Sequence, residues 1–457
     1  VTAAAPHLER AARRVQADAR VPALSVAVHR GDREPWTLTV GASGTDGAPL
    51  GPGSVFRIGS VTKTFTAVLV LQCRDDGLLD LDDRLDAHLA VPALGELTVR
   101  RLLSHTAGLQ REPHGDVWDT LVAPDADTLL ADLARVERVL PNGRRFHYSN
   151  LGFALLGRLA AQLRGGTWAE VLAERVLTPL GLTATTPDPG PDAVQGWLVD
   201  TYSDAARPEP RLDLGAVGPA AQLWGTAGDM ARWAAFLADP AAVDPAGAVL
   251  APATLDEARW PATTNDETVW SLGFGLGLIL APQGDRVVHV GHDGAMPGFL
   301  AGVYGRRGGD APPGLGAAVL ASSGTAVAAP DLVHDLLTLS VEHDPADVAP
   351  WSIGAPAPAA YTSVLGRWWS EGFEHVFSWH DGALQARVAG APANRPPAVF
   401  EPLPDRPDVL RTVRGREAGE LLRLTRDAAG AVVRMHWATY RFTRTQETFT
   451  GENVSAP

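Results

Sequence analysis

The chain has 457 residues, 45% hydrophobic and 20% charged, enough apolar material for a large core spread over two or three domains. A formal charge of −14 leaves no basic stripe of the kind that neutralises phosphates, so neither nucleic acid nor an anionic membrane is an expected partner. The single cysteine, Cys73, rules out an intramolecular disulfide framework and a multi-cysteine metal site.

The opening VTAAAPHLERAARRVQADARVP alternates charged and apolar residues at helical spacing and has no signal-peptide core, which predicts a cytoplasmic protein. No run approaches membrane-spanning length. ALSVAVHRG and WTLTVGAS follow as a hairpin around the polar turn GDREP. A helix is predicted to begin at or just after Ser60 and to run through VTKTFTAVLVLQCRDD to a stop at Gly77, with Cys73 in the core. Further helices are predicted at TVRRLLSH, ADTLLADLARVERVL, NLGFALLGRLAAQLRG and AGDMARWAAFLAD. Strands then return at SLGFGLGLIL, RVVHVGHDG, FLAGVYGRR and LGAAVLASSG. This order indicates an α+β domain over residues 1–343, an antiparallel sheet shared by both chain ends with helices filling the middle. Residues 344–360, rich in Pro, Ala and Gly, read as a linker. Residues 361–457 read as all-β, with one hairpin through the His-Asp-Gly turn of FEHVFSWHDGALQARV and another in LLRLTRDAAGAVVRMHWATYRFTRT. A small barrel or sandwich is predicted there, filled by Trp368, Trp369, Trp379 and Trp437.

Of the 39 lysines and arginines, Lys63 is the one lysine. A lysine can be made neutral by burial, whereas a guanidinium stays charged, so this position points to a base. Ser60 lies three residues before it, on the same helical face and at the positive end of the helix dipole. Tyr148 and Asn150, in RRFHYSNLGF, stand on a loop just before a helix that can face Ser60. His292 and Gly294, in VVHVGHDGAMPGF, stand at a strand-turn where glycine allows an acyl group close to the backbone. His105, in SHTAGL, is expected to bond neighbouring loops. His289 and His292 point to opposite faces of a strand and lack a third ligand, so no metal and no other cofactor is expected. A GxSxG elbow is absent, which disfavours an α/β-hydrolase.

In the order SxxK, YxN, His-x-Gly, framed by GELTVRRLLSHTAGL and GHDGAMPGF, residues 5 to 340 resemble the serine β-lactamase and penicillin-binding-protein superfamily, in its class C β-lactamase and D,D-peptidase-like branch. The resemblance implies that Ser60 is the acylated nucleophile, that Lys63 and Tyr148 share the base role, and that Tyr148 also serves the leaving group. It implies that Asn150 orients Lys63 and the substrate amide, and that the backbone N–H groups of Ser60 and Ala295 form the oxyanion hole. Where the family usually has Lys-Thr-Gly, this chain has His292. Histidine titrates near neutrality, so a hold on a substrate carboxylate is expected to be weak and pH-dependent, which disfavours strong β-lactamase activity.

The C-terminal segment resembles the lipocalin-like barrels appended to serine hydrolases, including the penicillin-binding-protein-type thioesterases of nonribosomal peptide assembly. That resemblance implies a stand-alone peptide cyclase, taking a peptidyl thioester from a carrier protein in trans and closing it head to tail. Arg441 and Arg444 are candidate substrate contacts, weighed against an outward, solvated pair. The alternative is a D-stereoselective serine hydrolase of small esters or peptides: an esterase, a D-aminopeptidase or carboxypeptidase, or a weak β-lactamase. A third reading, a non-catalytic binder or sensor, conflicts with the intact Ser60, Lys63 and Tyr148.

Overall fold

The computed structural model describes residues 3–448 apart from 32, 43–48, 144, 191–192, 266–268, 349 and 393–394. The chain divides into two compact units, Val1–Asp347 and Val348–Pro457. Asp32 of the expected GDREP turn, and residues 449–457 of the expected all-β unit, lie outside the described residues.

In the first unit, helix α1 (Ala5–Asp18) leads into strands β1 (Ala23–Arg30) and β2 (Arg33–Gly41). Helices α2 (Thr62–Asp75), α3 (Asn150–Arg164) and α4 (Ala227–Ala238) come from the middle of the chain. Strands β3 (Thr263–Thr264), β4 (Gly273–Phe274), β5 (Ile279–Gly284), β6 (Val287–Met296), β7 (Phe299–Arg307) and β8 (Gly316–Ala321) follow, then helix α5 (Leu332–His343). The strands form one eight-stranded antiparallel sheet in the order β2-β1-β8-β7-β6-β5-β4-β3, with Leu24 opposite Ala321 where the chain ends meet.

Both faces of β1 are covered, so all eight of its residues are buried. Alternation assigns them to two cores: Leu24, Val26 and Val28 join α1 and α5 on one face, while Ala23 and Ala27 face the helical side holding α2, α3 and α4. Helix α5 is absent from the sequence-based expectation, in which a meander closes the domain. Its apolar residues cover the sheet face that α1 leaves open. Two other expectations are shortened. SLGFGLGLIL yields two short strands rather than one, and the helix in ADTLLADLARVERVL ends at Asp132 with one 3-10 turn after it. Beyond that turn the chain is drawn into extended pairing, Val139 N–H donating to the Gly108 carbonyl at 3.0 Å.

In the second unit, strands β9 (Gly366–Ser370), β10 (Phe373–His380), β11 (Ala383–Val388), β12 (Ala398–Leu403), β13 (Arg406–Arg414), β14 (Leu421–Arg426), β15 (Val432–Trp437) and β16 (Tyr440–Phe442) pair in sequence order. Trp369 and Thr443 exchange backbone bonds of 2.9 and 3.1 Å, nearly closing an antiparallel barrel. The turn Asp381-Gly382 has both φ angles positive, +53° and +73°, the geometry that suits a two-residue hairpin. Trp368 and Trp437 lie inside with Phe377, Phe400, Met435 and Phe442. Trp379 packs at the edge of that core. Trp369 stands half-buried on the opposite face, because its neighbour Trp368 takes the inward position.

The two arginines proposed as substrate contacts are engaged within the barrel. Arg444 lies 3.9 Å over the Trp368 ring and donates to the carbonyls of Ser363, Leu365 and Arg367. Arg441 pairs with Glu447 at 3.2 Å.

Candidate active site

Helix α2 is buried along its length, from Thr62 to Cys73. Its hydroxyls are all accommodated: Thr62 accepts from Leu223 N–H at 3.1 Å, Thr64 accepts from Trp233 Nε1–H at 2.7 Å, and Thr66 donates to the Pro219 carbonyl at 2.7 Å. These bonds fix the helix against Pro219 and Leu223 and against Trp233 of α4. A 3-10 turn, Gly59–Val61, precedes it and carries Ser60. Gly59 has φ +53°, and a Cβ there would fall 2.7 Å from the backbone nitrogen of Ala295. A Cβ on Gly294 would fall 1.9 Å from the Ile58 carbonyl oxygen. Only glycines permit β6 to lie so close to the turn, and this approach puts the backbone nitrogen of Ala295 beside Ser60.

Lys63 is 0% exposed. Its Nζ lies 3.1 Å from Ser60 Oγ and 2.8 Å from the Ala220 carbonyl oxygen, with the rings of Tyr148 and Phe153 at 4.7 and 5.8 Å. Burial pushes its pKa well below the usual lysine value, opposed by the charge of Glu112 and reinforced by Arg111. In the neutral form one N–H donates to Ala220 and the lone pair faces the Ser60 hydroxyl.

The loop before α3 is wired to the loop after SHTAGL. Ser149 caps α3, accepting from Gly152 N–H at 3.1 Å, and donates to the Gln110 carbonyl at 2.8 Å. Asn150 N–H donates to the Arg111 carbonyl at 2.7 Å. His105 Nδ1 accepts from Ser149 N–H at 3.1 Å, and its ring stacks on Tyr148 at 4.4 Å. Burial pushes the pKa of Tyr148 well above the ordinary tyrosine value, a rise that the neighbouring Ser60 hydroxyl and Arg111 oppose. The phenol is therefore a neutral proton donor in the resting protein, which makes Lys63 rather than Tyr148 the group suited to take the first proton.

Two sequence-based assignments change. Asn150 does not bond Lys63: its Nδ2 donates to Glu112 Oε1 at 2.6 Å. His292 does not titrate near neutrality, because burial above all pushes its pKa down to about 3. Its Nδ1–H donates to the Asp293 carbonyl at 2.5 Å, which leaves Nε2 an acceptor. The third motif thus offers no cation for a carboxylate at any ordinary pH. His289 points away from His292 and meets His334 of α5 at 2.8 Å.

Glu112 escaped the sequence reading, although it follows SHTAGL by only a few residues. The one available signal was a Gln-Arg-Glu run in a loop directly after a framing segment.

A pH profile tests the charge state of Lys63. The base form predominates above the pKa, so labelling of Ser60 by a fluorophosphonate is expected to stay level below pH 10.5 and to fall only where the lowered lysine takes a proton. His292 is expected to add no inflection between about pH 5 and 8. A labelling rate that halves near pH 10.5 instead shows a charged lysine at neutrality.

The fold is that of the serine hydrolases and acyltransferases of β-lactamase type. The family model described as Beta-lactamase matches residues 8–339, and the chain belongs to that family. Residues 357–444 match a second model, Domain of unknown function (DUF7586). Penicillin-binding protein 4 of Amycolatopsis lactamdurans is 32% identical over 339 residues, 69% of this chain and 85% of that protein. Beta-lactamase-like protein 2 of Dictyostelium discoideum is 31% identical over 241 residues, 50% of this chain and 43% of that protein, so the chain spans less than half of that relative. The crystal structure of SurE aligns over 97% of this chain and 100% of its own, at 26% identity and TM-score 0.61. SurE with D-Leu aligns over the same shares at 27% identity and TM-score 0.59. No helix among the described residues is long and apolar enough to cross a membrane.

Proposed function

We propose that this protein is a serine acyltransferase that loads a peptidyl group with D-configured residues from a thioester onto Ser60 and releases it by attack of the peptide's own amine, closing a ring. The observation that carries the acyl-transfer chemistry is the sole lysine, fully buried, 3.1 Å from Ser60 Oγ. Lys63 takes the Ser60 proton as Oγ attacks the carbonyl carbon, and the N–H groups of Ser60 and Ala295 receive the oxyanion. Tyr148 then protonates the departing sulfur. In the second half the peptide amine attacks the ester, Tyr148 takes its proton, and Lys63 returns a proton to Ser60.

Two observations support a donor of this kind. A neutral His292 removes the charge that would hold a terminal carboxylate, as a D,D-peptide or β-lactam requires. SurE, solved with D-Leu, matches nearly the whole chain, barrel unit included. The donor would arrive on a carrier protein of a peptide synthetase.

A second reading, a D-stereoselective hydrolase of esters or amides, uses the same acyl-enzyme with water as acceptor. It is favoured by Ser60 being only half-buried, which admits water.

Incubation with linear peptidyl thioester mimics ending in a D-residue separates the two readings. Cyclisation gives a product one water lighter than the acid. Acid alone from every mimic, with rapid turnover of short-chain esters, establishes the hydrolase.

A further inference from the structure

Asn150 Nδ2 donates to Glu112 Oε1, and a carboxylate can only accept. This bond therefore fixes the amide orientation and turns its oxygen away from Glu112. Asn150 Oδ1 is buried and has no hydrogen-bond partner among the described residues. Leaving such an oxygen unpaired forfeits the hydrogen bond that water gave it in the unfolded chain, so a donor from outside the protein is the natural complement. Tyr148 and Asn150 belong to one segment, so this oxygen and Glu112 stand near the groups that surround Ser60.

The inventory there is rich in acceptors. Glu112 is half-buried, and its charge is felt at both Lys63 and Tyr148. His292 presents Nε2 as an acceptor. Lys63 commits one N–H to Ala220. The permanent cation nearby is Arg111, whose guanidinium lies 4.9 Å from the Tyr148 ring centre. Its Nε is 3.7 Å from Glu112 with a side chain 63% exposed, so it screens Glu112 without occupying it. Asn150 Nδ2 takes up one lone pair of Glu112, which leaves further lone pairs available.

We propose that the Glu112 carboxylate and Asn150 Oδ1 form a subsite for a primary ammonium group of the substrate. A primary ammonium carries three N–H donors and a positive charge, which matches two adjacent acceptors, one of them anionic. The inference rests on the acyl-transfer reading. It inverts the charge preference of a site built for terminal carboxylates. The ammonium has two possible sources: the α-amine of a D-residue that is itself the acyl group, or the distal amine of a peptide folded back for ring closure.

The test compares a D-leucyl thioester bearing a free α-amine with its N-acetyl counterpart, in the wild type and in Glu112→Gln, by release of the thiol. The wild type is expected to favour the free amine by about ten- to hundredfold in kcat/KM, mostly through KM, and Glu112→Gln to bring that ratio to about one. Glu112→Asp is expected to restore part of the preference. A linear peptidyl thioester with a free distal amine forms the second arm. If the ammonium is that distal amine, Glu112→Gln lowers the ratio of cyclic product to acid and leaves the acetylated single-residue donor as good as the free one. A wild type indifferent to the amine in both arms, with all donors slowed equally in Glu112→Gln, reduces Glu112 to a positioning residue for Asn150 and overturns the proposal. Failure of the underlying acyl transfer is separate, because Ser60 then takes no label in the wild type. Melting temperature checks that the variant is folded.

Discussion

Lys63→Arg is expected to lower covalent capture of an acyl donor at Ser60 by about 10³–10⁴-fold, the scale on which an activated nucleophile depends on its base. A guanidinium keeps its proton, so it cannot accept one from the Ser60 hydroxyl. The slot is also wrong for it. Lys63 is 0% exposed, between two aromatic rings and a carbonyl, and a permanent charge there lacks a close anionic partner. Because that charge also threatens folding, Lys63→Met is the companion variant: it fills the slot without charge and is expected to fold as well as the parent. Both variants should lose labelling by a fluorophosphonate or a fluorescent β-lactam. Full labelling of folded Lys63→Met overturns the assignment of the base and the mechanism built on it.

Tyr148→Phe is expected to slow acylation by about 10²–10⁴-fold for amide donors and far less for thioesters. The hydroxyl, not the ring, carries the effect. The ring still stacks on His105 and still walls Lys63, so melting temperature should change little. An amide nitrogen leaves only when protonated, whereas a thiol is acidic enough to leave with little help. The size of the loss should therefore follow the basicity of the leaving group. Steady-state kinetics on a matched amide, ester and thioester of one acyl group measure this. Equal losses across the three remove Tyr148 from leaving-group protonation and confine it to packing.

How much of this could be read from the chain depends on the kind of interaction. The hairpin turn at Asp381-Gly382 and the helix stop at Gly77 are local, made by residues adjacent in sequence, and their types declare them. The pairing of Ser60 with Lys63 is local too, one helical turn apart. Its importance showed in composition, since one amine among so many guanidiniums is a chemical choice.

The α+β arrangement was legible from the order of strands and helices, but helix α5 was not. Its pattern follows a strand that could equally end the domain, and only the exposed sheet face beside α1 calls for a cover. Trp369 was misassigned because a run of two tryptophans shows no alternation, while a strand must turn one of them outward.

The wiring and the charges of the site belong to the tertiary structure. Glu112 and Asn150 are far apart in the chain and meet only because the loop after SHTAGL bonds to the start of α3. By residue type His292 titrates near neutrality, yet burial holds it at about 3. Spacing along a helix or strand names which groups can touch, and residue type names what each could do. The protonation state is decided by water removed and charges brought near through space, quantities that exist only once distant segments have packed together.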